Sequence, residues 1–309
     1  MSKALSSKVS RTVALALFVS LLSPPAPAPA QKRPADLTQL PPTPTTYTPA
    51  KTPWGDWDFR GTWPLDNVAG ARILFQRPKS YGNRVWLTDE EHAKRIANAV
   101  KSDAGYTPDT EIGQQSGTQG LADWTRKSDF SWRTSLLVSP TDGQLPPLTP
   151  WAQKMFENGR SGWVPGQEYD TPADFDAWDR CITRGFPASM LPNRYNHGIR
   201  VFQSPGYITI VNEMLGRRVI PIVPKSEVGR HWPKQVEGWW GDSRAYWDGK
   251  TLVIETSNLK SGDSVTEDLQ KRAAAPVIVT MIGGAPLDTI PVSARAHSVE
   301  KLTMTGPDS

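Results

Sequence analysis

From about residue 199 onward, seven short runs of β-branched and aromatic residues follow one another with no helical pattern between them. They read "IRVFQ", "GYITIVN", "RRVIPIV", "RAYWD", "TLVIETS", "PVIVTMI" and "VEKLTMTG". Gly, Pro, Asn and Asp punctuate them, as turn residues do between strands. A parallel pair needs a crossover of a dozen or more residues. Half of these gaps are far shorter and the others carry no long helical crossover, so the sheet is expected to be largely antiparallel, closed as a barrel or stacked as a sandwich.

The part before residue 199 has a different texture. In "LTDEEHAKRIANAV", residues 87–100, Thr88 and Glu91 stand at capping-box spacing and predict a helix. Residues 102–128 are rich in Gly, Thr, Ser and Gln and read as a long loop, and "WRTSLLVS", 132–139, reads as a strand. Thr149-Pro150 places an N-cap residue before a proline at the first helical position, which starts a short helix closing near Gly159. Thr171-Pro172 repeats that signal before "ADFDAWDR". The expected fold is mainly β, with a helix-and-loop part over 54–198 packed on an antiparallel β part over 199–309, all one globular unit.

The N-terminus has the pattern of an export signal. Lys3, Lys8 and Arg11 form a basic region, Val13 to Leu22 an apolar one, and Ala28-Pro29-Ala30 the small residues before a cleavage point after Ala30. The apolar run is shorter than the roughly 20 residues a membrane span needs, and no later stretch is apolar enough. A periplasmic or secreted protein is expected, with no membrane span after cleavage. Residues 31–53 hold six prolines in 23 residues and read as a semi-rigid linker. Residues 1–30 carry three of the 35 basic residues and no acidic one, which leaves 32 basic against 31 acidic. The sequence pI of 9.1 therefore overstates the basicity of the processed chain. No basic stripe of the kind nucleic acid requires is present. A single cysteine, Cys181, rules out an internal disulfide, and its simplest reading is a buried small hydrophobe.

Several long motifs carry a family likeness: "ILFQRPKSYGNRVWLTDEEHAKR", "RTSLLVSPTDGQLPPLTPWAQK", "DRCITRGFPASMLPNRYN", "PGYITIVNEM", "RRVIPI" and "WWGDSRAYWDGKTLVIETSNL". Together they resemble a widespread family of secreted bacterial proteins of uncharacterised activity, from about residue 57 onward. The resemblance implies export and a β-rich body, and it brings no activity with it. The family pattern continues past "VEKLTMTGPDS" with a further strand-like segment, so an edge or gap in the sheet is expected there.

The stretch around Asp248-Gly249 carries the richest chemistry. That dipeptide signals a two-residue type I′ turn, which would set Trp247 opposite Lys250 and Asp242 opposite Glu255. Strand alternation then divides the hairpin. Ser243, Ala245, Trp247, Leu252 and Ile254 take the core face. Asp242, Arg244, Tyr246, Thr251, Val253 and Glu255 take the other, where Arg244 can bridge the two carboxylates. On an exposed face such a cluster is a solvated ion network; lining a cleft, it can tune a carboxylate for chemistry. Both readings stay open.

Two "GDS" triplets, at 241–243 and 262–264, are similar to an esterase motif. That chemistry requires a serine activated by a histidine that an acid orients. His297 lacks the matching acid, and Ser243 is predicted to face the core. The four histidines, His92, His197, His231 and His297, stand at no metal-ligand spacing, so no metal is expected. "MIGGAPLD" lacks the residues of a phosphate loop, so no nucleotide cofactor is expected either.

His197, in "NRYNHGIR", is the histidine singled out as an acid or base, with Asp242, Arg244 and Glu255 as its partners. Tyr195, Asn196, Glu213, Trp239, Trp240 and Tyr246 are the candidate ligand contacts. Two functions follow. One is a binding protein whose aromatic-lined pocket takes a small apolar, aromatic or sugar ligand. The other is a cofactor-independent hydrolase or lyase built on the His/carboxylate/Arg set.

Overall fold

The computed structural model describes residues 33–63, 76–104, 131–158, 185–187, 190, 198–213, 216–260, 273–274, 290–291 and 293–309. The export signal, the loop expected after Lys101 (from residue 105 on), the helix start at Thr171, Cys181 and the run "PVIVTMI" lie outside them.

Among these residues strands dominate and their ladders are antiparallel. β1 (Gly61–Trp63), β2 (Ile199–Ser204), β3 (Tyr207–Asn212) and β4 (Gly216–Pro221) form one sheet in that order. β5 (Asp242–Asp248), β6 (Thr251–Ser257) and β9 (Ser298–Thr303) form a second. β7 (Ala273–Ala274) and β8 (Ile290–Pro291) make a two-residue pair. The sheets meet just past β4, where Ile222 bridges Ala245 in parallel and the Val223 N–H donates to the Ala245 carbonyl at 2.8 Å. The described strands do not close into a barrel. β1 pairs on one side with β2, β9 pairs on one side with β6, and no ladder joins them.

One core serves both sheets. Ile199, Val201, Ile208, Ile210 and Ile220 come from the first and Ala245, Leu252 and Ile254 from the second, with Phe59 between them. Their alternation along each strand, with exposed Arg200 and Val219 each between buried neighbours, is that of a sheet with one covered face. Phe59 meets Trp247 edge to face at 5.2 Å, a favoured aromatic geometry. The segment before β1 runs along this body. The Trp57 indole donates to the Gly249 carbonyl at 2.8 Å, the Trp247 indole to Asp56 at 3.1 Å, and the Lys250 ammonium to the Tyr47 carbonyl at 2.6 Å. Further back, the Leu37 carbonyl accepts from the N–H groups of Val85 and Trp86.

Helix α1 (Asp89–Ala104) begins where its capping box requires. The Glu91 N–H donates to Thr88 Oγ1 at 3.2 Å, and the Thr88 N–H donates to Glu91 Oε2 at 2.9 Å. Helix α2 (Pro150–Asn158) starts on Thr149, whose hydroxyl accepts from the Ala152 N–H. Residues 132–139, expected as a strand, hold only isolated bridge residues, Arg133 and Ser135; Arg133 bridges Trp86, with the Leu87 N–H donating to the Trp132 carbonyl and the Thr134 N–H to the Val85 carbonyl. Side chains add to these backbone bonds. Arg95 Nη1 donates to the carbonyls of Ser131 and Arg133, and the Thr134 hydroxyl donates to the Arg84 carbonyl. The Ser135 hydroxyl donates to the Leu137 carbonyl two residues on, a local bond that competes with sheet pairing. No helix among the described residues is long and apolar enough to cross a membrane.

Candidate functional site

The β5–β6 hairpin turns one position later than Asp248-Gly249 predicts. Asp248 pairs with Thr251, so the two-residue loop is Gly249-Lys250. Gly249, the first loop residue, has φ of 61°. A glycine with positive φ at the first loop position is the type II′ arrangement, which suits the strand twist as well as type I′ does. The register is corrected accordingly: Arg244 faces Glu255, and Asp242 faces Ser257. The shift moves partners by two residues, an even number, so the two faces keep their predicted members. Ala245, Leu252 and Ile254 are fully buried, and Trp247 packs against them.

Ser243 lies on that inner face, and its hydroxyl pairs with Thr256 Oγ1 at 2.8 Å in the interior. A serine held there by a threonine meets no histidine among the described residues that could activate it.

The opposite face holds Asp242, Arg244, Tyr246, Val253 and Glu255, and residues 229–241 turn back over its Asp242 end. Asn258 latches this loop. Its side-chain N–H groups donate to the carbonyls of Trp232, Pro233 and Val236 at 3.0, 3.0 and 3.1 Å. Backbone bonds from Gly238 to Asn258 and from Lys260 to Gly238 secure the far end. Asn258 has φ of 56°, a conformation Asn tolerates better than most residues.

The latch sets His231 beside the sheet. His231 Nδ1 stands 3.1 Å from Asp242 Oδ2, which also accepts the Trp232 N–H at 2.8 Å. Asp242 is 5% exposed, and Arg244 Nε approaches the same oxygen at 3.6 Å. That distance is too long for a hydrogen bond. His231 Nε2 and Arg244 Nε are both buried without a hydrogen-bond partner. Such groups are uncommon in folded proteins and each calls for a reason. On the other side of Glu255, His297 Nε2 lies 3.5 Å from Glu255 Oε2, and the His297 side chain is 48% exposed. His297 is two residues before Val299, the β9 partner of Glu255, so strand alternation puts it on the same face. His231, Glu255 and His297 each bring one ligating atom to within 4.8 Å of the others.

The structure thus brings Asp242, Arg244 and Glu255 together and adds two histidines that sequence spacing had set aside. His197, Tyr195 and Asn196 lie outside the described residues. The Glu213 carboxylate is exposed at the end of β3, where it accepts the Gly198 N–H at 3.1 Å. Tyr246 shares the site face, its ring 5.3 Å from the Lys225 ammonium. The Trp240 ring packs on Gly216 at the start of β4. The Trp239 ring lies 5.0 Å from the Lys260 ammonium, and its carbonyl accepts the Phe186 N–H. Trp232, beside His231, is 53% exposed. The sequence signal for His297 was its place just before the last strand, usable only once β9 is known to pair with β6.

No family model, curated protein or solved structure matches the chain.

Proposed function

We propose that this chain is an exported hydrolase or lyase, a member of the secreted bacterial family its motifs resemble, acting on a small anionic molecule at the β5–β6 face. The observation that carries the reading is the His231–Asp242 pair. A buried carboxylate fixed by a backbone N–H and holding imidazole Nδ1 leaves Nε2 with its lone pair directed away, the arrangement of an oriented general base. Arg244, with Nε buried and unpartnered, supplies a guanidinium for a carboxylate or phosphate group. Glu255 and His297 flank the same face as a second proton-handling pair. Export is supported by Lys3, Lys8 and Arg11 ahead of the apolar run to Leu22 and by Ala28-Pro29-Ala30. The shared core between the two sheets supports a sandwich-like β body over 199–309.

The test uses the exported product, whose N-terminus, read by mass spectrometry, is expected to be Gln31. It is assayed on 4-nitrophenyl acetate, succinate and phosphate. Turnover is expected to favour the charged esters. His231→Gln and Asp242→Asn are each expected to lower kcat by about 10²–10⁴-fold, the usual contribution of a positioned base. Arg244→Gln should act mainly on KM. Full activity in His231→Gln would overturn the reading. A second reading, binding of an aromatic or sugar ligand, draws on exposed Trp232 beside His231. It is favoured if all three esters are inert while such ligands quench tryptophan fluorescence in the parent and not in Trp232→Ala.

A further inference from the structure

We propose that His231, Glu255 and His297 hold one divalent first-row transition-metal ion of the zinc class, with Asp242 as the outer partner of His231. The proposal relies on the reading of this face as the functional site for location alone; with the ion bound, the His231 Nε2 lone pair is a ligand and not a base, so the acid–base reading applies to the metal-free protein.

Three observations converge on it. The first is distance. Metal–ligand bonds of about 2.0–2.2 Å at tetrahedral angles put neighbouring ligand atoms about 3.4 Å apart. His297 Nε2 and Glu255 Oε2 already stand 3.5 Å apart, and all three ligating atoms lie within 4.8 Å of one another. Side-chain movement of about 1 Å closes the set. The second is the state of His231. Its Nδ1 is engaged by Asp242, and its Nε2 is buried without a partner. A ligating histidine nearly always turns its second nitrogen to a carboxylate or carbonyl, which fixes the tautomer and raises basicity. The third is access. The side chains of His231 and Glu255 are 12% and 22% exposed, while that of His297 is 48% exposed at the solvent edge. Three protein ligands on one side with solvent on the other leave a coordination position open, as in catalytic rather than structural sites.

The ligand chemistry selects the ion. Two imidazoles and one carboxylate suit zinc, cobalt, iron or nickel, whereas calcium and magnesium take oxygen ligands. Arg244 does not compete: its Nε is turned to Asp242, 3.6 Å away, and a guanidinium has no lone pair to offer.

The test titrates the full processed chain, freed of metal with a chelator, with Zn²⁺ by calorimetry and with Co²⁺ by visible absorption. The expected result is one ion per chain and the intense d–d bands of four- or five-coordinate cobalt. His297→Gln changes a half-exposed side chain at the start of β9 and is expected to fold, with its circular dichroism unchanged and the cobalt bands lost. Asp242→Asn is expected to keep one ion per chain and weaken it about 10–100-fold, the usual effect of losing an outer-shell partner. His92→Gln, whose ring stacks on Trp132 at 3.7 Å far along the chain, should bind as the parent does. No uptake by the parent overturns the proposal, and so does retention of the cobalt spectrum in His297→Gln. No uptake of either ion beside retained ester turnover overturns the metal and leaves the acid–base reading standing. One bound ion, with no turnover on any ester either with the ion or without it, leaves the metal site standing and counts against the hydrolase.

Discussion

Glu91 answers two partners at once. It caps α1 through Thr88 and pairs with the Arg84 guanidinium at 2.7 and 2.8 Å. The Arg84 bonds, followed by the Thr88 N–H, hold its carboxyl down at about 2 against an ordinary 4.5. A carboxyl whose folded value is depressed stabilises the fold above its unfolded value, and that contribution disappears as pH falls through the folded value. The stabilisation from Glu91 is therefore present above about pH 4.5 and is lost as pH falls toward and through about 2. Urea denaturation of parent and Glu91→Gln from pH 2 to 7 checks this. The two are expected to converge toward pH 2 and to separate above pH 4.5, with the variant less stable. A difference independent of pH would show that the carboxylate charge is not the cause.

At the scale of elements, the decisive part is the loop over the β5–β6 face, because it delivers His231. Its hold depends on the Asn258 side chain, which is buried and gives its donors to three carbonyls of one loop. Asn258→Ala leaves those carbonyls to find water and puts a residue less tolerant of positive φ at 56°. A loss of about 1–3 kcal/mol in stability is expected. Hydrogen exchange should rise over residues 229–241 and at Lys260, and stay unchanged in β2–β4. Metal uptake, measured as above, should weaken along with it. Unchanged exchange in the loop would mean that the Gly238 and Lys260 backbone bonds suffice.

The whole molecule is joined by an ion pair across its core. Ile210 faces Arg218 on the first sheet and Ile254 faces Glu300 on the second, so both charged side chains project from inner faces. Arg218 Nη1 meets Glu300 Oε2 at 2.7 Å, with Arg218 2% exposed and the Phe186 ring 4.6 Å from its guanidinium. Removing one partner of a buried pair strands the other charge, whereas replacing both by apolar groups is often neutral. Glu300→Ala is expected to cost about 3–5 kcal/mol in urea denaturation, and Arg218→Met with Glu300→Leu to recover most of it. A single variant within about 1 kcal/mol of the parent would show the pair to be solvated, as surface pairs are.

Alternation along β5 and β6 was enough, from sequence alone, to place Ser243 in the core and Asp242, Arg244 and Glu255 on one opposite face. Side chains in a strand alternate by covalent geometry, whatever the strand packs against. Capping spacing located the starts of α1 and α2 for a similar reason: an N-cap satisfies backbone groups within three residues of itself. The turn was misplaced by one residue because Asp-Gly and Gly-Lys both fit two-residue hairpin loops, and the choice between them lies in backbone angles. The expected 132–139 strand is reduced to isolated bridges, with Arg95 bonding the Arg133 carbonyl and the Ser135 hydroxyl the Leu137 carbonyl, side-chain partners that strand propensity does not reveal. His231 and His297 join Glu255 only through a latched loop and a third strand, contacts between residues far apart in the chain. No local spacing encodes such contacts, so the face was legible in the sequence, while the histidines that complete its site were decided by the tertiary fold.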